Sequence, residues 1–354
     1  MLRTKQLIVL SLQRNSSISK GKWGGCVEEY EMRQLGGRGA LMSTRPSLVI
    51  AGATGFIGTR LVEAAIAAGY QVTRLVRSLP REVPEHCTDV VWNPSAHDLD
   101  ERVLAGAAGV VCLNGAPLVG KVWTRSYKQT LWKSRIDSVD TIVDAIVRLP
   151  ADDRPACFIS GSAIGFYGPD CGDAVLHEGS SQGAGFLAEL CGAWESCAQR
   201  CAEEAGVRTV SVRTGLVMGA DGGLLGILQH LYRAGLGGQL SDGKAWMSTI
   251  SVIDHVRAIL FLVARDDIEG PVNLTCPEPC ENKVWNRLLG RHLQRPAVLR
   301  VPCGPLATLF PYAVGETVLA SQRALPIRLL DAGFIFTAPH VADIFNSILP
   351  QKRG

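Results

Sequence analysis

Ala51-Gly52-Ala53-Thr54-Gly55-Phe56-Ile57-Gly58 is the stretch on which the fold turns. Its glycines form a G-x-x-G-x-x-G series directly after the apolar run Leu48–Ala51, which has the length of a strand. Beyond it, Ile57, Leu61, Ala64, Ala65 and Ala68 recur at helical spacing across Phe56–Ala68, and Gly69 stands where a helix ends. Val72–Val76 then reads as a second strand. Strand, glycine loop, helix and strand within about 30 residues make a βαβ unit with parallel strands. Such a loop lets a pyrophosphate approach the backbone, where the helix N-terminus offers unpaired N–H groups and the positive end of its dipole. Gly52, Thr54, Gly55, Phe56, Ile57 and Gly58 are therefore the candidate contacts to a dinucleotide.

The end of the second strand selects between dinucleotides. NAD sites carry an acid there for the ribose 2′-hydroxyl. This chain reads Thr73-Arg74-Leu75-Val76-Arg77-Ser78, without an acid. Arg77 is placed to pair with a 2′-phosphate, helped by Ser78 or Arg74, so NADP(H) is expected over NAD(H).

Further outward, strands fit Asp89–Trp92, Val110–Leu113, Cys157–Ser160 and Thr209–Arg213. A long helix fits Ser126–Leu149, with Tyr127, Leu131, Ile136, Val139, Ile142, Val143 and Ile146 on one face. Alternation of this kind predicts an α/β fold, a Rossmann-type doubly wound parallel sheet. After Gly215 the pattern loosens into glycine-rich loops, which predicts a smaller C-terminal substrate lobe. The expected division is a cofactor domain over residues 46–218 and a mainly substrate-binding lobe over 219–350, with 249–275 returning to the first domain.

Of 354 residues, 47% are apolar and 19% charged, enough to bury a core and unlike a disordered chain. Residues 1–45 hold a net charge of +5, leaving −2 for the rest out of a total of +3. The globular part thus has no nucleic-acid footprint. No apolar stretch reaches the roughly 18 residues that span a bilayer. The tail carries Arg3, Lys5, Arg14, Lys20 and Lys22 among serines, with no acid before Glu28. It reads either as an organelle transit peptide, mitochondrial or plastid, or as an upstream extension of a cytoplasmic protein that effectively starts at Met42. Eleven cysteines lack the paired spacing of a zinc site, so buried or free thiols and no metal are expected.

Several linked motifs resemble those of the extended short-chain dehydrogenase/reductases, and more narrowly the NAD-dependent epimerase/dehydratase-like "epimerase family protein" branch. They are Ala51–Gly58, Leu113-Asn-Gly-Ala-Pro117, Trp123-Thr124 leading to Ser134-Arg135, and Ser160-Gly-Ser-Ala-Ile-Gly-Phe-Tyr-Gly168. Trp194-Glu195, Val212-Arg-Thr-Gly-Leu-Val-Met-Gly219 and Gly270-Pro-Val-Asn-Leu274 follow, then Ser321-Gln-Arg-Ala-Leu-Pro326 and Leu329-Leu-Asp-Ala-Gly-Phe334. The resemblance implies that Leu113, Asn114, Gly115, Ala116 and Arg135 also line the cofactor. In Ile250-Ser-Val-Ile-Asp254, which returns the chain to the core, Asp254 is expected to cap a helix.

The resemblance also implies chemistry, and there the chain departs from it. Ordinary members pair a Ser/Thr with Tyr-x-x-x-Lys, the tyrosine acting as acid/base and the lysine lowering its pKa. Ser162 matches the serine, but Leu187 and Cys191 occupy the tyrosine and lysine positions. Tyr167 is the candidate proton carrier in their place, ahead of Lys128 and Cys191, and Glu195 is expected to cap or pair inside its own helix. The expected function is an NADP(H)-binding oxidoreductase or epimerase acting on a small polar or sugar-like substrate. The alternative is a non-catalytic NADP(H)-sensing regulator or scaffold.

Overall fold

Leu48, Val49, Ile50 and Ala51 lose all solvent exposure in the first strand, β1 (Ser47–Ala51). A strand buried on both faces is the signature of a central parallel strand covered by two helical layers. The structure, a computed structural model, describes residues 45–80, 82–119, 121–302 and 314–349. The basic tail read from the sequence, residues 1–45, lies outside the described residues up to residue 44.

From β1 the chain passes through α1 (Phe56–Ala67), β2 (Gln71–Val76) and β3 (Cys87–Val91) to β4 (Gly109–Cys112). There follow α2 (Arg125–Arg148), β5 (Cys157–Ala163), β6 (Asp170–Leu176), α3 (Phe186–Ala205) and β7 (Arg208–Thr214). Next come β8 (Leu216–Gly219), α4 (Gly223–Arg233), β9 (Gly238–Leu240), β10 (Trp246–Met247), β11 (Thr249–Ser251), α5 (Val252–Val263) and β12 (Gly270–Leu274). The last elements are β13 (Cys280–Glu281), α6 (Asn282–His292), β14 (Leu299–Val301), β15 (Ser321–Ala324), α7 (Ile327–Asp331) and α8 (Val341–Ile348).

Seven parallel strands form the main sheet in the order β12-β7-β5-β4-β1-β2-β3. Alternate residues of β1 face opposite ways, as strand geometry requires. Leu48 and Ile50 pack with Leu61, Val62 and Ala65 of α1 and Val256, Ile259 and Leu262 of α5. Val49 and Ala51 pack on the other side with Val139, Ile142, Val143 and Ile146 of α2 and Ala198 and Cys201 of α3. This is the doubly wound arrangement. Strand order reverses between β1 and β4, and in such sheets the crevice at that reversal receives the ligand.

β12 joins the sheet in parallel beside β7. The expected role of Asp254 is corrected. Ser251 caps α5 by accepting from the Asp254 N–H at 3.0 Å, whereas the fully buried Asp254 carboxylate reaches forward to the chain at residues 337–338. α4, α6 and α8 gather around Met218, Leu225, Trp285, Leu289, Ile344 and Phe345, a further apolar cluster. No helix among the described residues is long and apolar enough to cross a membrane.

Candidate functional site

The turn from β1 into α1 is built by what its glycines lack. Gly52 has φ +80°, and a Cβ there would lie 2.9 Å from the Leu113 carbonyl carbon and 3.1 Å from the Asn114 nitrogen. Gly58 is tighter still, because a Cβ would sit 2.0 Å from the Gly52 carbonyl oxygen. The loops after β1 and β4 therefore touch backbone to backbone, and α1 presses its first turn onto its own loop. Gly55 donates its N–H to the Gly52 oxygen at 3.0 Å, and α1 has no side-chain cap. Its first-turn N–H groups are left for an anionic ligand, with Thr54 and Gly55 exposed above them. The Phe56 ring turns away and packs on Gly219, Gly222 and Gly223, so this residue offers the site its backbone only.

Arg77 and Ser78 follow β2 directly and are exposed. Arg74 does not join them. Its guanidinium makes a bidentate pair with Asp89 of β3, at 2.6 and 2.7 Å, across neighbouring strands. That corrects the expectation that Arg74 would assist a 2′-phosphate. It also removes Asp89 as a competing carboxylate.

On the other side of β1, the loop Leu113–Leu118 is held from beneath by α2. Thr124 caps that helix, accepting from the Tyr127 N–H at 3.1 Å. The Trp123 indole donates to the Leu118 carbonyl at 2.9 Å and the Tyr127 hydroxyl to the Pro117 carbonyl at 2.6 Å. The Ala116 N–H donates to Ser134 at 2.9 Å, and Arg135 donates to the Ala116 carbonyl at 3.2 Å. Each motif residue of this region thus shapes one short loop at the switch point.

Ser162 stands near the C-terminal end of β5, and its hydroxyl donates to Glu195 at 2.6 Å. Glu195 does not pair inside its helix as expected. Its two carboxylate oxygens take Nε and Nη2 of Arg213 from β7, both at 2.8 Å. Burial alone would lower the pKa of Arg213, but Glu195 outweighs it and the pKa is raised. The Arg213 guanidinium lies 3.5 Å from the Phe166 ring centroid and donates through Nη1 to the Tyr167 hydroxyl at 3.1 Å. Tyr167 in turn donates to Asn273 Oδ1 at 2.7 Å. Glu178 closes the set, accepting from the Asn273 and Arg328 N–H groups at 3.1 and 3.3 Å.

Tyr167 is consequently turned inward. Its side chain is buried and its hydroxyl is committed to Arg213 and Asn273. Burial raises its pKa, with Arg213 countering in part. Leu187 and Cys191 are both buried, and burial pushes the Cys191 thiol up to about 12, which leaves it protonated and poorly nucleophilic. Lys128 is half-buried with its Nζ 4.9 Å from the Phe186 ring centroid. Arg213 and Asn273 stand in the sequence inside the motifs Val212–Gly219 and Gly270–Leu274, with no role implied there. The signal was there: a charge and an amide inside otherwise apolar strands. Trp246 binds Asp173 through its indole N–H at 2.8 Å and stacks under Arg323.

Comparison with known proteins agrees with this geometry. A family profile described as "NAD dependent epimerase/dehydratase family" matches residues 48–274, and a domain of unknown function, DUF1731, matches 302–348. An "Epimerase family protein" of Mycobacterium bovis is 38% identical over 289 residues, spanning 82% of this chain and 93% of that one. The crystal structure of a human epimerase family protein, SDR39U1 (isoform 2) with NADPH, superposes with a TM-score of 0.75 at 23% identity, covering 85% of this chain and 98% of that one. A nucleoside-diphosphate sugar epimerase from Corynebacterium glutamicum gives a TM-score of 0.69 at 27% identity over 86% of this chain and 58% of that one.

Proposed function

The chain belongs to the NAD dependent epimerase/dehydratase family, and from that premise we propose that it is an NADP(H)-dependent oxidoreductase or epimerase-like enzyme working on a small, polar, sugar-like substrate. The observation that carries this reading is the cradle at the switch point. A Cβ at Gly52 or Gly58 would fill it, and the uncapped α1 N-terminus opens onto it, which is what a pyrophosphate requires. The residues present therefore fit a dinucleotide. Arg77 and Ser78, following a strand end that carries no acid in Thr73–Ser78 and beside an Asp89 already paired with Arg74, favour the form carrying a 2′-phosphate. NADPH in the human relative and the sugar epimerase among the relatives support the same choice of cofactor and substrate class.

When bound, the nicotinamide supplies a hydride donor or acceptor. What the chain's own residues do beside it follows from their hydrogen bonds. Because the Ser162 proton is given to Glu195, its Oγ faces a ligand as an acceptor and holds a substrate hydroxyl. Arg213 holds the Glu195 carboxylate in place through two hydrogen bonds. Tyr167 is a positioning residue, acting through Arg213 and Asn273 rather than carrying the proton itself.

Absorbance at the nicotinamide band, with NADPH and a panel of sugar and small-molecule carbonyls, tests the reading. Turnover that Ser162→Ala abolishes while NADPH binding persists is the expected result. No turnover by folded, NADPH-loaded protein would count against an enzyme. One observation favours a second reading, a non-catalytic NADP(H) sensor: the dyad positions hold Leu187 and Cys191, and the Ser162 proton is committed. A partner captured only in the presence of NADPH would select it.

A further inference from the structure

Arg323 lies on β15, inside the segment that matches DUF1731. Burial alternates along this strand: Gln322 and Ala324 are buried, while Ser321 and Arg323 share the other, partly exposed face. The buried side is explained by Gln322, which donates to the Ile164 and Gly168 carbonyls at 3.0 and 2.5 Å and closes the turn that carries Tyr167. On the other face the Arg323 guanidinium packs 4.3 Å from the Trp246 ring centroid. Its Nε is buried without a hydrogen-bond partner. Arg74 and Arg213 are each locked to a carboxylate, whereas no carboxylate pairs with Arg323 among the described residues. A buried charged donor left unmet is costly to a fold, so it calls for a partner that the chain itself does not supply.

The space beside this stack is a cavity of about 700 Å³, lined by Asp170, Asp173, Asp242, Lys244, Glu316 and Ser321. Trp246 borders it twice, donating its backbone N–H to the Ser321 hydroxyl at 3.0 Å and its indole N–H to Asp173 at 2.8 Å. Asp170 and Asp242 each accept one backbone N–H, from Gly172 at 3.2 Å and from Lys244 at 3.0 Å. Each of these three aspartates thus has one oxygen held by a protein donor and the other without a described partner. Glu316 is spent differently. Its two oxygens hold the Phe186 and Leu187 N–H groups, which fastens the cavity wall to the turn where ordinary members carry the dyad tyrosine.

Fixed carboxylates accept from hydroxyls, and a guanidinium donates to hydroxyl or ring oxygens. A polyhydroxylated ring offers both kinds of group. A phosphate offers acceptors only, and here it would meet four carboxylates against two cations, Lys244 and Arg323. We propose that this cavity binds an uncharged polyhydroxylated ligand, a sugar without phosphate, with Arg323 donating to its oxygens and Asp170, Asp173 and Asp242 accepting from its hydroxyls. The DUF1731 segment thereby takes part in substrate recognition. The inference rests on the sugar-like substrate read above and narrows it to a class without the diphosphate of a nucleotide sugar.

The test uses the full chain, with and without NADPH, by saturation-transfer NMR and titration calorimetry. The probes are glucose, maltose and myo-inositol, with glucose 1-phosphate as the charged counterpart. A neutral probe is expected to bind, and glucose 1-phosphate to bind roughly threefold or more weakly than glucose. Arg323→Met should weaken the neutral probe roughly 10-fold, the worth of one charge-assisted hydrogen bond. Should that variant fail to fold, Asp173→Asn serves, since the side chain is exposed and the amide oxygen still accepts from Trp246. It should narrow the gap between glucose and its phosphate. Both variants should keep the wild-type affinity for adenosine 2′,5′-bisphosphate, which carries the 2′-phosphate of NADP(H) and no sugar substrate. The proposal is overturned if no neutral probe binds to protein that binds NADPH, if glucose 1-phosphate outbinds glucose, or if folded Arg323→Met binds like wild type. Each of those results leaves the NADP(H) reading standing. Protein that binds a neutral probe but not NADPH removes the cofactor reading and upholds the cavity.

Discussion

Glu195 and Arg213 show at the residue scale what a linear pattern conveals and what it conveys. Ser162 was legible because a serine after an apolar strand is a local signal, and Gly52 and Gly58 because their spacing is. The partner of Ser162 was not, since periodicity reports that a residue is buried and not what it meets. A glutamate on an amphipathic helix reads as a surface pair, yet Glu195 points at the sheet. Its removal has a calculable consequence. Glu195→Ala leaves the Arg213 guanidinium, 4% exposed, without its carboxylate, and breaking such a pair costs about 3–5 kcal/mol. Urea unfolding should show that loss, while Glu195→Gln, which keeps an acceptor for Ser162, should lose less. Equal stability of Glu195→Ala and wild type would mean that the network does not hold the sheet.

A second residue sets a pH dependence. His255 on α5 is fully buried, bonded through Nε2 to Thr214 at 3.1 Å, and burial lowers its pKa from 6.5 to about 3. Between those values the unfolded chain takes up a proton that the folded chain refuses. Stability from this group is therefore intact above pH 6.5 and falls as the pH drops toward 3, by about 1.4 kcal/mol per pH unit. Urea midpoints at pH 7 and pH 5 should differ accordingly, and His255→Gln should flatten the difference. An unchanged slope in that variant would assign the acid sensitivity elsewhere.

Elements were read well where their ends carry side-chain signals. The helix expected over Ser126–Leu149 runs Arg125–Arg148, its start marked by the Thr124 cap. α3 shows the limit. Gly185, at φ +109°, gives it no side-chain cap, and the carboxylate that accepts from the Phe186 and Leu187 N–H groups at 3.0 and 2.6 Å belongs to Glu316, about 130 residues on. No local pattern announces that. For α1 the local rule and the tertiary structure agree, and Gly58 tests the agreement. A methyl at Gly58 would meet the Gly52 oxygen at 2.0 Å and the Ala53 Cα at 2.8 Å, backbone atoms that cannot swing aside. Gly58→Ala should cost about 1–3 kcal/mol of stability through overpacking and abolish NADPH binding in the protein that still folds. Full NADPH affinity in that variant would show that the cradle relaxes around the added methyl.

At the scale of the whole molecule two apolar clusters are tied by a residue that the sequence marks only as an acid early in a helix. Arg45–Gly354 pack as one compact unit, and part of the reason is Asp254. Its carboxylate accepts from the Thr337 N–H at 2.9 Å, the Thr337 hydroxyl at 2.7 Å and the Ala338 N–H at 2.8 Å. α5 packs against the main sheet through Val256, Ile259 and Leu262, while residues 337–338 lead into α8 and its cluster with Trp285 and Leu289. One buried carboxylate thus pins the C-terminal chain to α5, a helix packed on the main sheet. Sequence division at residues 218 and 219 had no means of seeing this, because it depends on a contact about 83 residues distant. Asp254→Ala would remove the acceptor of the Arg257 guanidinium and of three donors at residues 337–338, two of them backbone N–H groups, and each unmet buried group costs about 1–3 kcal/mol. The β1–α1 cradle takes no part in that contact. Asp254→Ala should therefore unfold at a lower urea concentration and release a C-terminal fragment under limited proteolysis, while its affinity for adenosine 2′,5′-bisphosphate stays near the wild-type value. Cleavage at the wild-type rate would mean that apolar packing around Trp285 and Phe345 holds the lobe without the carboxylate.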